Sequence, residues 1–516
     1  MVEKAENLIA DYKAITLKDS QNFEEFYSKY STMILNFNEN IDNLRNLYYS
    51  MISEDLVIKK LAEAAYQKPN KVAVSDGETE FTYSQLQEES DKIASRLFES
   101  QASEVILSLK PSSLLIIIII GIYKSGKTYV PLNYDLVDKE KKAIYSKFDQ
   151  PLIITEENYL NYYDESKWYG YPKFYPESEL AYIIHTSGTT GIPKGVMVTR
   201  KNLNYILDNI QEKYKVFEDS VYLFSTPISF DVSITEIFGF LQGKGKVYVK
   251  KIDKLFLRTF SEVIVQKRIT HFACSPSVLE ILLMRLTQEE INNIEMSLCY
   301  VVVAGESFRI SLLPFLKKFS KAQFFNAYGP TETTIYAFDY KLDLNKEYEK
   351  IPIGLPFSGV KIFLLPYQNV FRLFIGGEGV SRGYYKDEER TKKFFKIIDG
   401  MRYYDTGDLV EKKGESYFYC GRIDSQVQIN GIRLELEEVE FLIQEIISEP
   451  ILLKVISFSG MLVMFYKSEE EINFREMLKG NISKYKIPSK FIRIPFFPLT
   501  LNNKVDIENL KNHYLR

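Results

Sequence analysis

The chain has 516 residues, 45% of them apolar and 26% charged, the balance of a folded globular protein rather than a disordered or fibrous one. Its 65 basic and 69 acidic residues leave a net charge of −4, which argues against a nucleic-acid binder, because phosphate contacts require a basic excess. Three scattered cysteines (Cys274, Cys299, Cys420) and three histidines form neither a disulfide framework nor a zinc spacing, as expected of a chain in a reducing cytoplasm.

The first residues, Met1 to Glu6, lack the basic-then-apolar pattern of a secretion signal. Residues 1–52 predict a helical N-terminal extension: they contain no Gly or Pro, and apolar residues such as Phe23, Phe26, Tyr27 and Tyr30 recur at helical spacing. A strand at 72–74, a helix at 83–98, a strand at 104–109, a helix at 114–125 and a strand at 128–132 follow. Further strands are predicted at 221–225, 246–250, 271–275 and 298–303. This alternation predicts parallel βαβ units and an α/β fold. The longest apolar run, 114–123, is roughly half the ~20 residues that span a bilayer, so it predicts a buried core element and no membrane association. After the turns at 405–408 and 421–424 the pattern changes. A large N-terminal domain over 53–423 and a small C-terminal α+β domain over 424–516 are predicted.

Residues 185–195 read His-Thr-Ser-Gly-Thr-Thr-Gly-Ile-Pro-Lys-Gly and follow a short apolar strand. Gly188 and its neighbouring glycines let the backbone approach a ligand closely. The hydroxyls of Thr186, Ser187, Thr189 and Thr190, with backbone N–H groups, can cradle phosphate oxygens, and Lys194 adds a positive charge. The Walker pattern is absent, because Gly195 rather than Ser or Thr follows the lysine.

This string resembles the phosphate loop of the adenylate-forming superfamily, which includes acyl- and aryl-CoA synthetases, luciferases and the adenylation domains of nonribosomal peptide synthetases. The resemblance continues in order through 81–86, 124–132, 326–332 (Asn-Ala-Tyr-Gly-Pro-Thr-Glu), 404–409 (Tyr-Asp-Thr-Gly-Asp-Leu), 421–440 and 498–506. The resemblance implies an ATP/AMP site that includes Gly305, Glu306, Asn326, Ala327, Tyr328, Gly329 and Thr331. Tyr328 would stack on adenine. Asp408 would accept hydrogen bonds from the ribose, and Arg422 would hold a ribose or phosphate oxygen. Glu332 would be the Mg²⁺ ligand and, with Thr186, part of the catalytic set. Lys504 would stabilise the α-phosphoryl transition state from a tail that swings in, with Asp424 as the hinge.

One motif points to a branch. Asp231, within Ser229-Phe230-Asp231-Val232-Ser233, sits in apolar surroundings, where a carboxylate is costly without a cation. In amino-acid-activating members an aspartate here pairs with the substrate α-ammonium, and fatty- and aryl-acid ligases generally lack it. Capping the following helix is the competing structural role. The resemblance lines the acid pocket with Phe230, Asp231, Val232, Thr235, Ser277, Val302, Ala304, Ala327, Ile335 and Tyr336, with Lys504 at the mouth. Only Asp231 and Lys504 are charged, so a charged substrate side chain would lack a partner. A large apolar or aromatic amino acid, phenylalanine or tyrosine, is expected, although Tyr336 shortens the pocket.

Gln428 and Asn430 stand where the family usually has Lys and Arg, Glu437 where it has Gly, and Asn503 precedes the lysine in place of Gly. The hairpin at 363–371 is short. The expected activity is ATP- and Mg²⁺-dependent formation of aminoacyl-AMP, then transfer to the phosphopantetheine thiol of a carrier protein. Residues 20–50 are similar to the tail and linker of a condensation domain. The alternatives are a D-alanine–carrier protein ligase, an acyl- or aryl-CoA ligase, and a catalytically silent adenylate-binding scaffold.

Overall fold

The computed structural model describes residues 55–162, 179–186, 193–252, 255–423, 426–429, 431–447, 451–498 and 505–515. The expected extension at 1–52 lies outside them.

Two sheets form the large body. In the nine-stranded sheet a parallel run passes through Gln323–Tyr328, Tyr300–Val303, His271–Cys274, Val221–Phe224, Lys246–Val249 and Val72–Ser75. The six-stranded sheet has a parallel centre of Leu180–Thr186, Thr128–Pro131, Glu104–Ser108 and Leu152–Thr155. The antiparallel strand Lys194–Thr199 flanks it. The predicted alternation is thus realised, with strand ends differing from expectation by a residue or two.

The apolar run forms the helix Ser113–Lys124, with Ser112 accepting from Leu115 N at its start. It packs against Val72–Ser75 of one sheet and Thr128–Pro131 of the other. A helix covered on all sides needs apolar residues on all sides, and Ile116 to Ile120 are at most 1% exposed. Its terminal Lys124 is buried but pairs with Asp91 at 2.5 Å. Among the described residues no helix is long and apolar enough to cross a membrane.

A five-stranded antiparallel sheet follows, built on Val360–Tyr367, Val370–Gly377, Met401–Lys413, Phe395–Ile398 and Ser416–Arg422. The shortened hairpin turns on two residues only, since Tyr367 pairs with Val370. The C-terminal part has the two-stranded hairpin Gln426–Ile429/Ile432–Glu435, the helix Leu436–Gln444 and a three-stranded sheet, and its own apolar clusters. The protein is an α/β molecule with a large N-terminal domain of parallel sheets and a small C-terminal α+β domain.

Candidate active site

A cavity of about 830 Å³ lies beyond the carboxyl ends of the parallel strands, between the two large sheets, the five-stranded sheet and the C-terminal hairpin. Open α/β sheets present their ligand crevices there, in the loops that leave the strands. Thr186, Ser275, Ala304, Gly305 and Gly329 come from such strand ends.

The nucleotide-type residues converge on one wall. Asp408 and Arg422 face each other across neighbouring strands, and Arg422 Nη1 lies 2.5 Å from Asp408 Oδ1. The Tyr328 hydroxyl donates to the other Asp408 oxygen. Burial, then the Asp408 charge, push the Tyr328 phenol well above its usual range, so it stays a donor. Asp408 N donates to Thr406 Oγ1 at 3.0 Å. A Cβ on Gly329 would meet Ile335 O at 2.5 Å, so only glycine fits this turn. Asn326 is buried and donates to Pro352 O at 2.8 Å. The Glu306 carboxylate accepts from Ser277 Oγ at 2.5 Å and from Gly431 N of the hairpin at 2.6 Å.

Glu332 is fully buried. Its Oε1 accepts from the Tyr384 hydroxyl at 2.7 Å and lies 3.5 Å from Lys194 Nζ. Its Oε2 accepts from Arg433 Nη1 at 2.7 Å. Burial pushes this carboxyl up, but Arg433 and then Lys194 outweigh it and hold Glu332 well below the usual carboxylate range. Burial, then Arg433, bring Lys194 down to about 8. The site offers hard oxygen donors for Mg²⁺. They are the Thr186 hydroxyl at the cavity wall, which has no hydrogen-bond partner among the described residues, and the ionised Glu332 behind the lining, whose oxygens Tyr384 and Arg433 engage. No group of three His, Cys, Asp or Glu converges among those residues, so Mg²⁺ here would rely on substrate phosphates for further ligands.

Asp231 faces the cavity at the start of the helix Val232–Gly239, with no side-chain capping bond. Burial lifts its carboxyl to about 6, against a hydrogen bond from Thr331. Phe230, Val232, Ala304, Ala327 and Ile335 line the same cavity. Thr235, Val302 and Tyr336 instead line a separate pocket of about 20 Å³ behind it, next to the buried Glu236. Ser277 lies outside the main lining, engaged with Glu306 and Arg309. Ser187, Gly188, Thr189, Thr190, Asp424, Asn430 and Lys504 lie outside the described residues.

The sequence reading missed a second set of groups. Arg433, Gly431, Lys486 and Glu438 of the C-terminal part, and Glu140 of the large body, line the cavity too. Lys486 Nζ lies 2.7 Å from Glu140 and 3.0 Å from Glu438, and Ser483 Oγ also donates to Glu140. Arg433 lies inside the resembling segment 421–440, whose expected roles fall on Arg422 and Asp424.

Comparison with known proteins places this geometry. The profile of the AMP-binding enzyme family matches residues 61–385. The chain is 30% identical over 485 residues to a D-alanine–D-alanyl carrier protein ligase of Staphylococcus epidermidis, a match that covers 87% of this chain and 97% of that one. It is also 30% identical over 498 residues to tyrocidine synthase 3 of Brevibacillus parabrevis, but spans 8% of that much longer protein. Among solved structures, an adenylation and carrier-domain protein, holo-PA1221, superposes with TM-score 0.76 at 22% identity, covering 88% of this chain and 84% of that one. The Vibrio cholerae adenylation domain AlmE, in complex with glycyl-adenosine-5′-phosphate, also gives 0.76 at 20% identity, covering 89% and 97%. With the profile spanning well over half its length and a carrier protein ligase matched almost end to end, the chain belongs to the AMP-binding enzyme family, the adenylate-forming ligases.

Proposed function

We propose that the protein activates an amino acid as its aminoacyl-AMP and passes it to the phosphopantetheine thiol of a carrier protein. The observation that carries this is Asp231. It is a carboxylate at the cavity wall beside Phe230, Val232 and Ile335, with no helix-capping bond, hydrogen-bonded by Thr331 and lifted to about 6 by burial. A substrate α-ammonium pairs with it. Thr235, Val302 and Tyr336 line the rear pocket rather than the cavity, which shortens the acid pocket and favours a small side chain over phenylalanine or tyrosine. The carrier protein ligase matched along 97% of its length supports both a small acid and a carrier as acceptor.

The acid carboxylate attacks the α-phosphorus of ATP in line, and pyrophosphate leaves. Tyr328 stacks on the base and Asp408 and Arg422 hold the ribose, while Thr186, Ser187, Gly188, Thr189, Thr190 and Lys194 cradle the phosphates. Glu332 would hold Mg²⁺, which would neutralise charge on the phosphates. Lys504 steadies the developing charge on the α-phosphoryl group. The carrier thiol then attacks the acyl carbonyl and AMP leaves, once the C-terminal domain has turned about Asp424. A cytoplasmic setting fits these substrates.

ATP–pyrophosphate exchange tests this with glycine, both alanines, L-phenylalanine, L-tyrosine, a fatty acid and an aryl acid. Exchange with a small amino acid is expected. Exchange with phenylalanine or tyrosine alone would overturn the size argument. Turnover of a fatty or aryl acid with CoA, and of no amino acid, would overturn the role of Asp231.

A further inference from the structure

A half-buried lysine beside the phosphate string has no part in the chemistry above. Lys147 follows the helix Asp138–Tyr145, and its Nζ donates to the carbonyl of Pro193. That carbonyl belongs to the peptide that leads into Lys194, the first residue of the strand Lys194–Thr199. A peptide unit is planar, so holding the carbonyl sets the plane from which Lys194 starts. Thr186 pairs with Lys194 across the sheet, so the contact lies where the string returns to regular structure.

The lysine is itself fixed by its neighbours. The buried Phe148 ring stacks on Tyr385 at 4.8 Å and meets the His185 ring edge-on at 5.8 Å. Tyr385 N donates to Gly195 O at 2.8 Å. A Cβ on Gly195 would meet Ile183 Cγ2 at 2.7 Å and His185 Nε2 at 3.1 Å, so the strand and the rings are in close contact. Lys147 therefore projects from a packed unit at the base of the string.

Its charge is short of an answering anion. Burial, then Arg390, bring the Lys147 amine down to about 8, and Asp387 and Glu438 offset only part of this. Burial, then Lys147, bring His185 down to about 3, so the imidazole is neutral and adds no charge. Lys194 is likewise brought down to about 8. Two lysines from different elements, both short of negative charge, thus meet one end of the string, and a polyanion there stabilises both. With the ribose held by Asp408 and Arg422, the phosphates that reach this end are those farthest from the sugar.

We propose that Lys147 is a positioning residue for the terminal phosphates of ATP: it braces the Pro193 carbonyl from behind the string, and its charge adds to that of Lys194. It acts without lining the cavity itself. The proposal rests on the reading of 186–194 as the phosphate-binding string.

Displacement of a fluorescent nucleotide by ATP with Mg²⁺, and separately by AMP, provides the test. Lys147→Met is expected to weaken ATP about tenfold, the order expected for loss of one charged hydrogen bond, and to leave AMP unchanged. In pyrophosphate exchange the KM for ATP should rise by the same factor, with the KM for the acid unmoved. Lys147→Arg, which keeps both donor and charge, is expected to retain native ATP affinity. Equal weakening of ATP and AMP, or no weakening of either, would overturn the proposal. A second measurement uses the native chain, and so does not depend on the folding of a variant. Only a neutral amine reacts with trace acetic anhydride, so labelling of Lys147, read by peptide mass spectrometry, should slow with ATP and Mg²⁺ but not with AMP. Equal labelling with the two nucleotides would count as decisively against it. Lys194→Met separates the two readings. If it weakens ATP while Lys147→Met does not, only the proposal falls; if neither does, the phosphate-string reading falls as well.

Discussion

Burial lifts the Asp231 carboxyl to about 6, and this places the acid limb of catalysis. Above that pH the free site is ionised and can pair an ammonium. Below it the carboxyl is protonated and the pair is lost. The kcat/KM for the amino acid is therefore expected to fall about tenfold per pH unit below 6, measured by pyrophosphate exchange. Asp231→Asn should abolish that limb and weaken the amino acid by about 3–5 kcal/mol at pH 8, with little change in KM for ATP. Equal loss of ATP affinity would make Asp231 structural. Lys504→Ala is expected to slow adenylation on the order of 10²-fold while ATP still binds; near-native rates would remove Lys504 from the chemistry. The residues legible in the sequence share a property. Asp231, Tyr328, Asp408 and Arg422 each sit in a short contiguous motif whose chemistry is readable locally. Tyr336 is set apart from Ile335 because Thr334 and Ile335 both have positive φ, 61° and 72°. Such a turn is rare for a β-branched residue. Ile335 lines the main cavity, whereas Tyr336 lines the pocket behind it. No periodicity rule anticipates that.

Elements were legible where a cap or a period marks them. The helix Tyr83–Phe98 matches its expected bounds because Thr82 and Gln85 form a reciprocal capping box. What the sequence could not reveal is which elements meet. Arg200 begins the helix Arg200–Tyr214, yet lies 2.8 Å from Asp55 and stacks over the Tyr123 ring at 3.9 Å. Asp55 also accepts from Val57 N and Ile58 N to cap the helix Leu56–Gln67. Arg200→Ala leaves a buried carboxylate short of its cation. It is expected to cost about 3–5 kcal/mol, read as a lower thermal midpoint. Asp55→Asn, which keeps a capping acceptor, should cost less. The hairpin tip offers a second test. Gly431 has φ +79°, and an added Cβ would come within 3.3 Å of Ser275 Cβ. Gly431→Ala is expected to cost about 1–2 kcal/mol of backbone strain, slowing transfer to the carrier more than pyrophosphate exchange. Equal slowing of both half-reactions would show that the tip has no part in seating the hairpin.

At the scale of the molecule, the large body and the C-terminal part each keep their own apolar clusters. Charged contacts tie them, among them Arg433 with Glu332 and Lys486 with Glu140. Such ties were illegible in sequence because each joins residues far apart in the chain, and each depends on how two preformed bodies dock. Calorimetry is expected to show the C-terminal part melting apart from the large body. Lys486→Met should move the two transitions further apart, because it strips the buried Glu140 and Glu438 of their shared cation; unmoved transitions would show that this pair carries no docking energy. Within the large body no such separation is expected, because the helix Ser113–Lys124 divides its faces between both sheets. That sharing bears on synthesis. The strands Leu180–Thr186 and Lys194–Thr199 of one sheet, and Lys246–Val249 beside Val72–Ser75 in the other, all come later in the chain than the helix. Until they leave the ribosome, five consecutive isoleucines have no finished surface to cover them. A nascent chain that waits with such a segment uncovered aggregates readily, so this protein's need for chaperones should be greatest in mid-translation and vanish once residue 249 is free.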